Sequence, residues 1–229
     1  MRRIKRIFAA GSGLSEFSAR MRHLFVVNLL WIVCSIPLIT YGAATAAAYD
    51  ALQYTAQAEN LKSGKLYFSA LRKHFKRASL LWLTLVCIGV PFGIGGYFLV
   101  HSGEKNVALL SVALFFLFLY GIAFAYAFPV CVRSDGGALE VVVFSLMSGL
   151  RYLHWTVLMV ILAAVPVFMA LFATYWFLYT GLLWLLYGFA FIAYVNQLMA
   201  CRVFKKLSRY TDFLLPPPED IPVEAMSGL

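Results

Sequence analysis

The sequence predicts an all-α fold: an integral membrane helical bundle with five long transmembrane helices plus an alanine-rich return helix, and cytoplasmic amphipathic surface helices. Three observations predict it. Hydrophobic residues make up 62% of the 229 and charged residues only 13%, with a mean hydropathy of +0.82, far from the roughly half-apolar, quarter-charged norm of soluble domains. Uncharged runs at 23–49, 78–103, 106–132 and 152–201 each reach or exceed the about 20 helical residues that cross hydrocarbon. The basic residues lie between those runs, which is how membrane proteins set their orientation.

Residues 1–23 form a basic cytoplasmic segment with Arg2, Arg3, Lys5, Arg6, Arg20 and Arg22. The apolar piece after the first basic residues is short and no small-residue cleavage site follows it, so the first span is expected to act as its own insertion signal. The polytopic membrane domain then runs over 24–207. Its first helix is expected at about 24–41, broken by Pro37, which lacks the N–H of an uninterrupted helix, with Gly42 permitting a sharp turn. Ala43, Ala44, Thr45, Ala46, Ala47 and Ala48 give the next helix, about 43–59, a small-residue back suited to close packing in lipid. In 61–79, Leu66, Phe68, Leu71 and Phe75 recur at near-helical spacing with Lys and Arg between them, the pattern of a basic amphipathic helix on the cytoplasmic leaflet.

Spans follow at about 80–100 and 107–131. Segment 138–155 occupies the same place ahead of the next hairpin, and Phe144-Ser145 repeats Phe68-Ser69, which suggests two parallel units of surface helix plus helical hairpin. The run 152–201 is more than twice the crossing length and must cross twice, at about 154–174 and 181–201, with a turn at Tyr175 to Gly181. Residues 208–229, with Pro216, Pro217 and Pro218 between acids, read as an extended cytoplasmic tail.

Charge then fixes a topology. If each of the five long helices crosses, one of the first two basic clusters falls outside, against the positive-inside rule. The alanine-rich helix resolves the conflict either as a sixth crossing or as the second leg of a re-entrant hairpin. Both put every basic residue except Lys105, and both termini, in the cytoplasm. A plain five-span protein that tolerates one exception is the alternative.

A net charge of +9 does not indicate nucleic acid, because the basic residues flank apolar spans instead of gathering on a soluble surface. The expected partner is a bilayer with anionic headgroups, contacted by Arg72, Lys73, Lys76 and Arg77. Cys34, Cys87, Cys131 and Cys201 show no CxxC spacing and read as small buried hydrophobes. No phosphate-loop, dinucleotide, zincin or serine-hydrolase motif is present, so no enzyme and no cofactor is expected. His23, His74 and His154 lie where basic segments meet spans; a metal site would require them to converge. Asp50 is either a functional intramembrane charge or an interfacial acid that caps or pairs with a nearby Lys or Arg. Asn28, Thr40, Thr45, Asn196 and Gln197 either line a polar path or hold the bundle together by interhelical hydrogen bonds.

Asn28, Leu30, Trp31, Pro37, Thr40, Gly42 and the Ala/Thr run to Tyr49 resemble the signature of the YesL-like bacterial membrane proteins, a domain family of unknown function. The resemblance extends loosely over residues 15–205 by helix order and by Arg133 and Asp135, which resemble the family's short Arg-x-Asp segment after the third long apolar run. It implies a polytopic plasma-membrane protein, often encoded beside carbohydrate uptake systems and their regulators in Gram-positive bacteria, with no biochemical activity attached. Two functions follow as expectations. One is an accessory or regulatory protein that binds another membrane component, such as a sugar importer or a sensor kinase. The other is a small permease for a sugar or other small solute, favoured by the Pro-broken first span, the repeat and Asp50.

Overall fold

The computed structural model describes residues 2–101, 107–172, 181, 184–208, 211 and 213–215. The expected turn before Gly181 and most of the tail lie outside them. The described elements are all helical: α1 (Arg2–Ser35), α2 (Tyr41–Leu52), α3 (Ser63–His101), α4 (Val107–Val132), α5 (Ala138–Arg151), α6 (Leu153–Phe172) and α7 (Phe189–Leu207), with 3-10 turns at Leu38–Thr40 and Thr55–Asn60 and a π turn at Trp184–Gly188. Three helices are long and apolar enough to cross a membrane, Ser15–Ser35, Ser63–Leu99 and Val107–Val132, and a fourth passes if the bent pair of α5 and α6 is counted as one. Five crossings therefore exceed what the described residues contain.

Helix α1 stops at Ser35, earlier than expected, because a proline excludes the preceding residue from the helical region and Pro37 itself is extended, with φ −74° and ψ 119°. Helix α2 returns antiparallel to α1. Its 12 residues span about 18 Å against a hydrocarbon thickness of about 30 Å, which corrects the sixth-crossing expectation. Every residue from Gly42 to Leu52 is buried. Gly42 serves close approach more than the turn: a Cβ there would overlap the Ala78 carbonyl and the Trp82 Cβ.

Helix α3 is the second correction. The basic segment expected to lie separately on the leaflet is the first part of one continuous 39-residue helix, about 58 Å long. Leu66, Tyr67, Ala70, His74, Ala78, Leu81 and Leu85 are buried at helical spacing, and this face packs on α2. The tip of the α1–α2 hairpin meets α3 at Trp82, whose Nε1 donates to Leu38 O at 3.0 Å. Beyond Trp82, α3 rises about another 28 Å. There its large side chains, with those of the first half of α4, are exposed: Phe92, Phe98, Leu114 and Phe115 among them. The core lies in the other half, where α1, α2, the start of α3, residues 122–132 of α4 and α7 converge.

Helix α5 is set apart from α6 by a bend of 108° at Tyr152, whereas the basic part of α3 runs into its span without a break. The two units suggested by Phe68-Ser69 and Phe144-Ser145 therefore differ in shape.

Candidate functional site

The α1–α2 hairpin, the face of α3 beneath it and the start of α7 bring together most of the residues singled out in the sequence. Asn28 Oδ1 accepts from Ala190 N at 2.9 Å, at the point where the π turn gives way to α7. One turn on, the Trp31 ring stacks on Phe189 at 3.6 Å and 6°, and its Nε1 donates to Thr45 Oγ1 at 3.1 Å. Thr45 in turn donates to Tyr41 O at 2.8 Å. Pro37 has no N–H for Val33 O, and that oxygen accepts instead from Ile36 N at 3.4 Å; the Pro37 carbonyl itself accepts from Thr40 N at 2.9 Å and from Thr40 Oγ1 at 2.8 Å. Thr40 Oγ1 also reaches Cys34 O at 2.7 Å. Thus the break is closed on itself.

Asp50 sits at the far end of α2 and is 8% exposed. Its Oδ2 lies 2.9 Å from His74 Nε2 and its Oδ1 accepts from Gln53 Nε2 at 3.2 Å. The expected Lys or Arg partner is therefore replaced by a histidine on α3. Nearby Tyr54 has its phenol pushed up to about 12, by burial first and then by the Asp50 carboxylate.

His23 lies on the other side of the same end. Its Nε2 is 3.1 Å from Ala51 O, a carbonyl that can only accept, so this nitrogen carries the hydrogen and Nδ1 accepts from the Ser63 hydroxyl at 2.7 Å. The two histidines clamp α1 and α3 onto the end of α2, while His154 is exposed beside Trp155. Among the described residues no group of three or more His, Cys, Asp or Glu is placed to hold a metal.

The basic quartet divides. Arg72, Lys73 and Lys76 are exposed, whereas Arg77 turns to the α4–α5 loop and donates to Ser134 O at 2.6 Å, Gly136 O at 2.8 Å and Asp135 Oδ1 at 3.2 Å. Arg133 is buried; it donates to Leu215 O at 3.1 Å and lies over the Phe204 ring at 5.4 Å. Arg133 and Asp135 thus bind different neighbours and pin the loop to α3 on one side and to the chain after α7 on the other. Gly136 belongs to this joint, since a Cβ there would press on Phe213 and Glu140.

Beside the hairpin, a partly open cavity of about 600 Å³ lies between α2, α4, α6 and α7, with Tyr41, Tyr49, Phe124, Phe128 and Asn196 among its lining residues.

Residues 24–95 match the family described as "Protein of unknown function, DUF624". YesL-like proteins carry DUF624, and the residues that resemble their signature, Asn28 to Tyr49, all lie within the matched stretch. No curated protein and no solved structure matches the chain. The DUF624 match covers the hairpin and most of α3 but ends before α4, so the partners supplied by α7, Phe189 and Ala190, lie outside it. Sequence reasoning missed both of them, along with the pairing of Asp50 with His74. A signal for the pairing existed: His74 stands four residues from Ala70 and from Ala78, on the same face as the small residues that admit α2.

Proposed function

We propose that this chain is a non-enzymatic, multi-pass protein of the bacterial plasma membrane that serves as an accessory or regulatory component of carbohydrate uptake or sensing, acting by binding another membrane protein such as an importer or a sensor kinase. The observation that supports this reading over a small permease is the closure of the hairpin. Asp50 is engaged by His74 and Gln53, the Pro37 carbonyl by Thr40, and α2 is buried from Gly42 to Leu52. A solute path needs polar groups turned to water or to a hydrated lumen; here the Asp50 carboxylate and the Pro37 carbonyl are turned into protein.

The topology within this reading has four full crossings, by α3, α4, α6 and α7, plus a hairpin of α1 and α2 that enters from the cytoplasmic side and returns. Its support is one of height. The hairpin tip meets α3 at Trp82, about 8 Å beyond Arg77 at 1.5 Å per residue, so the hairpin dips only a short way past the basic ring. An even number of crossings then keeps both termini and the clusters around 60–79 and 133–151 in the cytoplasm.

Flux and capture test it together. Wild type in liposomes should pass no sugar or other small solute, and purification in mild detergent should retain an importer subunit or a sensor kinase. Reproducible uptake that Asp50→Asn abolishes at equal protein level would replace the accessory reading with the permease.

A further inference from the structure

We propose that the α4–α5 loop is a docking site for a short apolar segment of the Phe-Leu-Leu type, filled in this chain by its own residues Phe213 to Leu215 and releasable to a competing segment of the same chemistry. Helix α7 ends at Leu207, and the described residues after it return to the loop. The Phe213 ring stacks on Phe144 of α5 at 4.6 Å and 29°. Leu214 is buried as part of the core. Leu215 donates its N–H to Arg133 O at 2.7 Å, and its carbonyl accepts from the Arg133 guanidinium at 3.1 Å.

The loop is shaped to receive that segment. A Cβ at position 136 would meet Cε2 and Cζ of Phe213, while the Gly136 backbone does not take up the left-handed conformation. It is the ring, not the turn, that glycine serves there. Arg133 makes the second demand. It is 7% exposed, Asp135 turns away to Arg77, and among the described residues the oxygen that its guanidinium reaches is the Leu215 carbonyl. A buried cation that loses its acceptor is costly, so the loop calls for a carbonyl brought by another stretch of chain. Together the two select an aromatic ring followed two residues later by an unpaired backbone carbonyl.

Releasability follows from size. Three residues form the contact, and Leu215 is 44% exposed. Segments this small open locally at a cost far below that of global unfolding. The tether is what keeps the site filled. Five residues join Leu207 to Phe213, and a short linker holds its end at an effective concentration of about a millimolar. A competing segment must exceed that concentration or meet a chain whose own segment is weakened. Because Arg77 ties the same loop to α3 through Ser134 O and Gly136 O, whatever fills the site bears on α3. The inference needs neither the membrane topology nor the accessory role.

The test uses the full chain in mild detergent and a fluorescent peptide with the sequence of residues 210–221, read by anisotropy. The Phe213→Ala chain should bind the peptide at least tenfold more tightly than wild type does, because the internal competitor is weakened and the site is intact. A peptide carrying Phe213→Ala should bind that variant at least tenfold more weakly. Adding Gly136→Ala to the Phe213→Ala chain should remove peptide binding. The added methyl group takes the place of the missing ring and otherwise meets only the end of the Glu140 side chain, so thermal unfolding should match that of the single variant. Equal binding by wild type and Phe213→Ala would overturn occupancy by the chain's own segment. No binding by Phe213→Ala would overturn a site open to a separate segment, and undiminished binding by the double variant would overturn the location. The two peptides decide the role of the ring whether or not the double variant folds: equal binding of both would overturn it.

Discussion

Asp50 and His74 show how a buried pair changes the expected response to substitution. Treated as a partly solvated interfacial acid, Asp50 would tolerate Asn at almost no cost. Enclosed with His74, it should not. Asp50→Ala leaves an imidazole N–H inside the bundle without its acceptor and should destabilise by about 1 to 3 kcal/mol. Asp50→Asn retains an acceptor for His74 and should cost about 1 to 2 kcal/mol. Thermal unfolding of the purified variants checks the order, and equal stability of wild type and Asp50→Ala would show that the pair contributes nothing. Gly42 responds through space: Gly42→Leu must push α2 away from Ala78 and Trp82 and should cost at least about 1 to 3 kcal/mol, the usual range for overpacking.

For the elements, the division of the basic quartet separates two roles that the sequence merged. Replacing Arg72, Lys73 and Lys76 by Gln removes exposed charge, each worth about 1 kcal/mol near an anionic surface. This should weaken binding to anionic vesicles in a salt-dependent way while leaving thermal stability almost unchanged. Arg77→Gln should do the reverse, because it removes the donors that hold the α4–α5 loop. If Arg77→Gln and the triple variant behave alike in both assays, the division is wrong. Pro37→Ala tests the hairpin turn; with Ile36 N already reaching Val33 O, the carbonyl that Pro37 cannot bond, little more than a local extension of α1 is expected, visible as stability within about 1 kcal/mol of wild type.

At the scale of the molecule, the helical class, the span positions of α3 and α4, and the stop of α1 near Pro37 were legible because long uncharged runs and proline act locally. The shortness of α2 was not, because an alanine-rich stretch looks alike whether it continues to 59 or ends at Leu52, and the difference lies in packing against α3. Nor was the continuity of α3 legible, since a basic amphipathic pattern is equally suited to covering lipid and to covering α2. The cavity draws its lining from α1, α2, α4, α6 and α7, elements distant in sequence, which no spacing reveals. Labelling tests the topology: a cysteine at Lys65, which is exposed, should react in inverted vesicles but not from outside intact cells. Ser63 is a poorer position because its hydroxyl is bonded to His23. Strong labelling of position 65 from outside would remove the re-entrant hairpin.

The bond from Asn28 to Ala190 joins residues 162 apart in the chain. At about 5 to 20 residues per second, a ribosome that has made the first of them needs about 8 to 30 s to deliver the second. The hairpin must therefore wait in the membrane, with its indole unstacked, until the last helix arrives. The stretch that matches DUF624 would then be a receptor for α7 rather than a self-sufficient unit. Split between Gly136 and Gly137 and co-expressed, the two halves should find each other and co-purify. A protease-resistant N-terminal half on its own would show that no such wait exists.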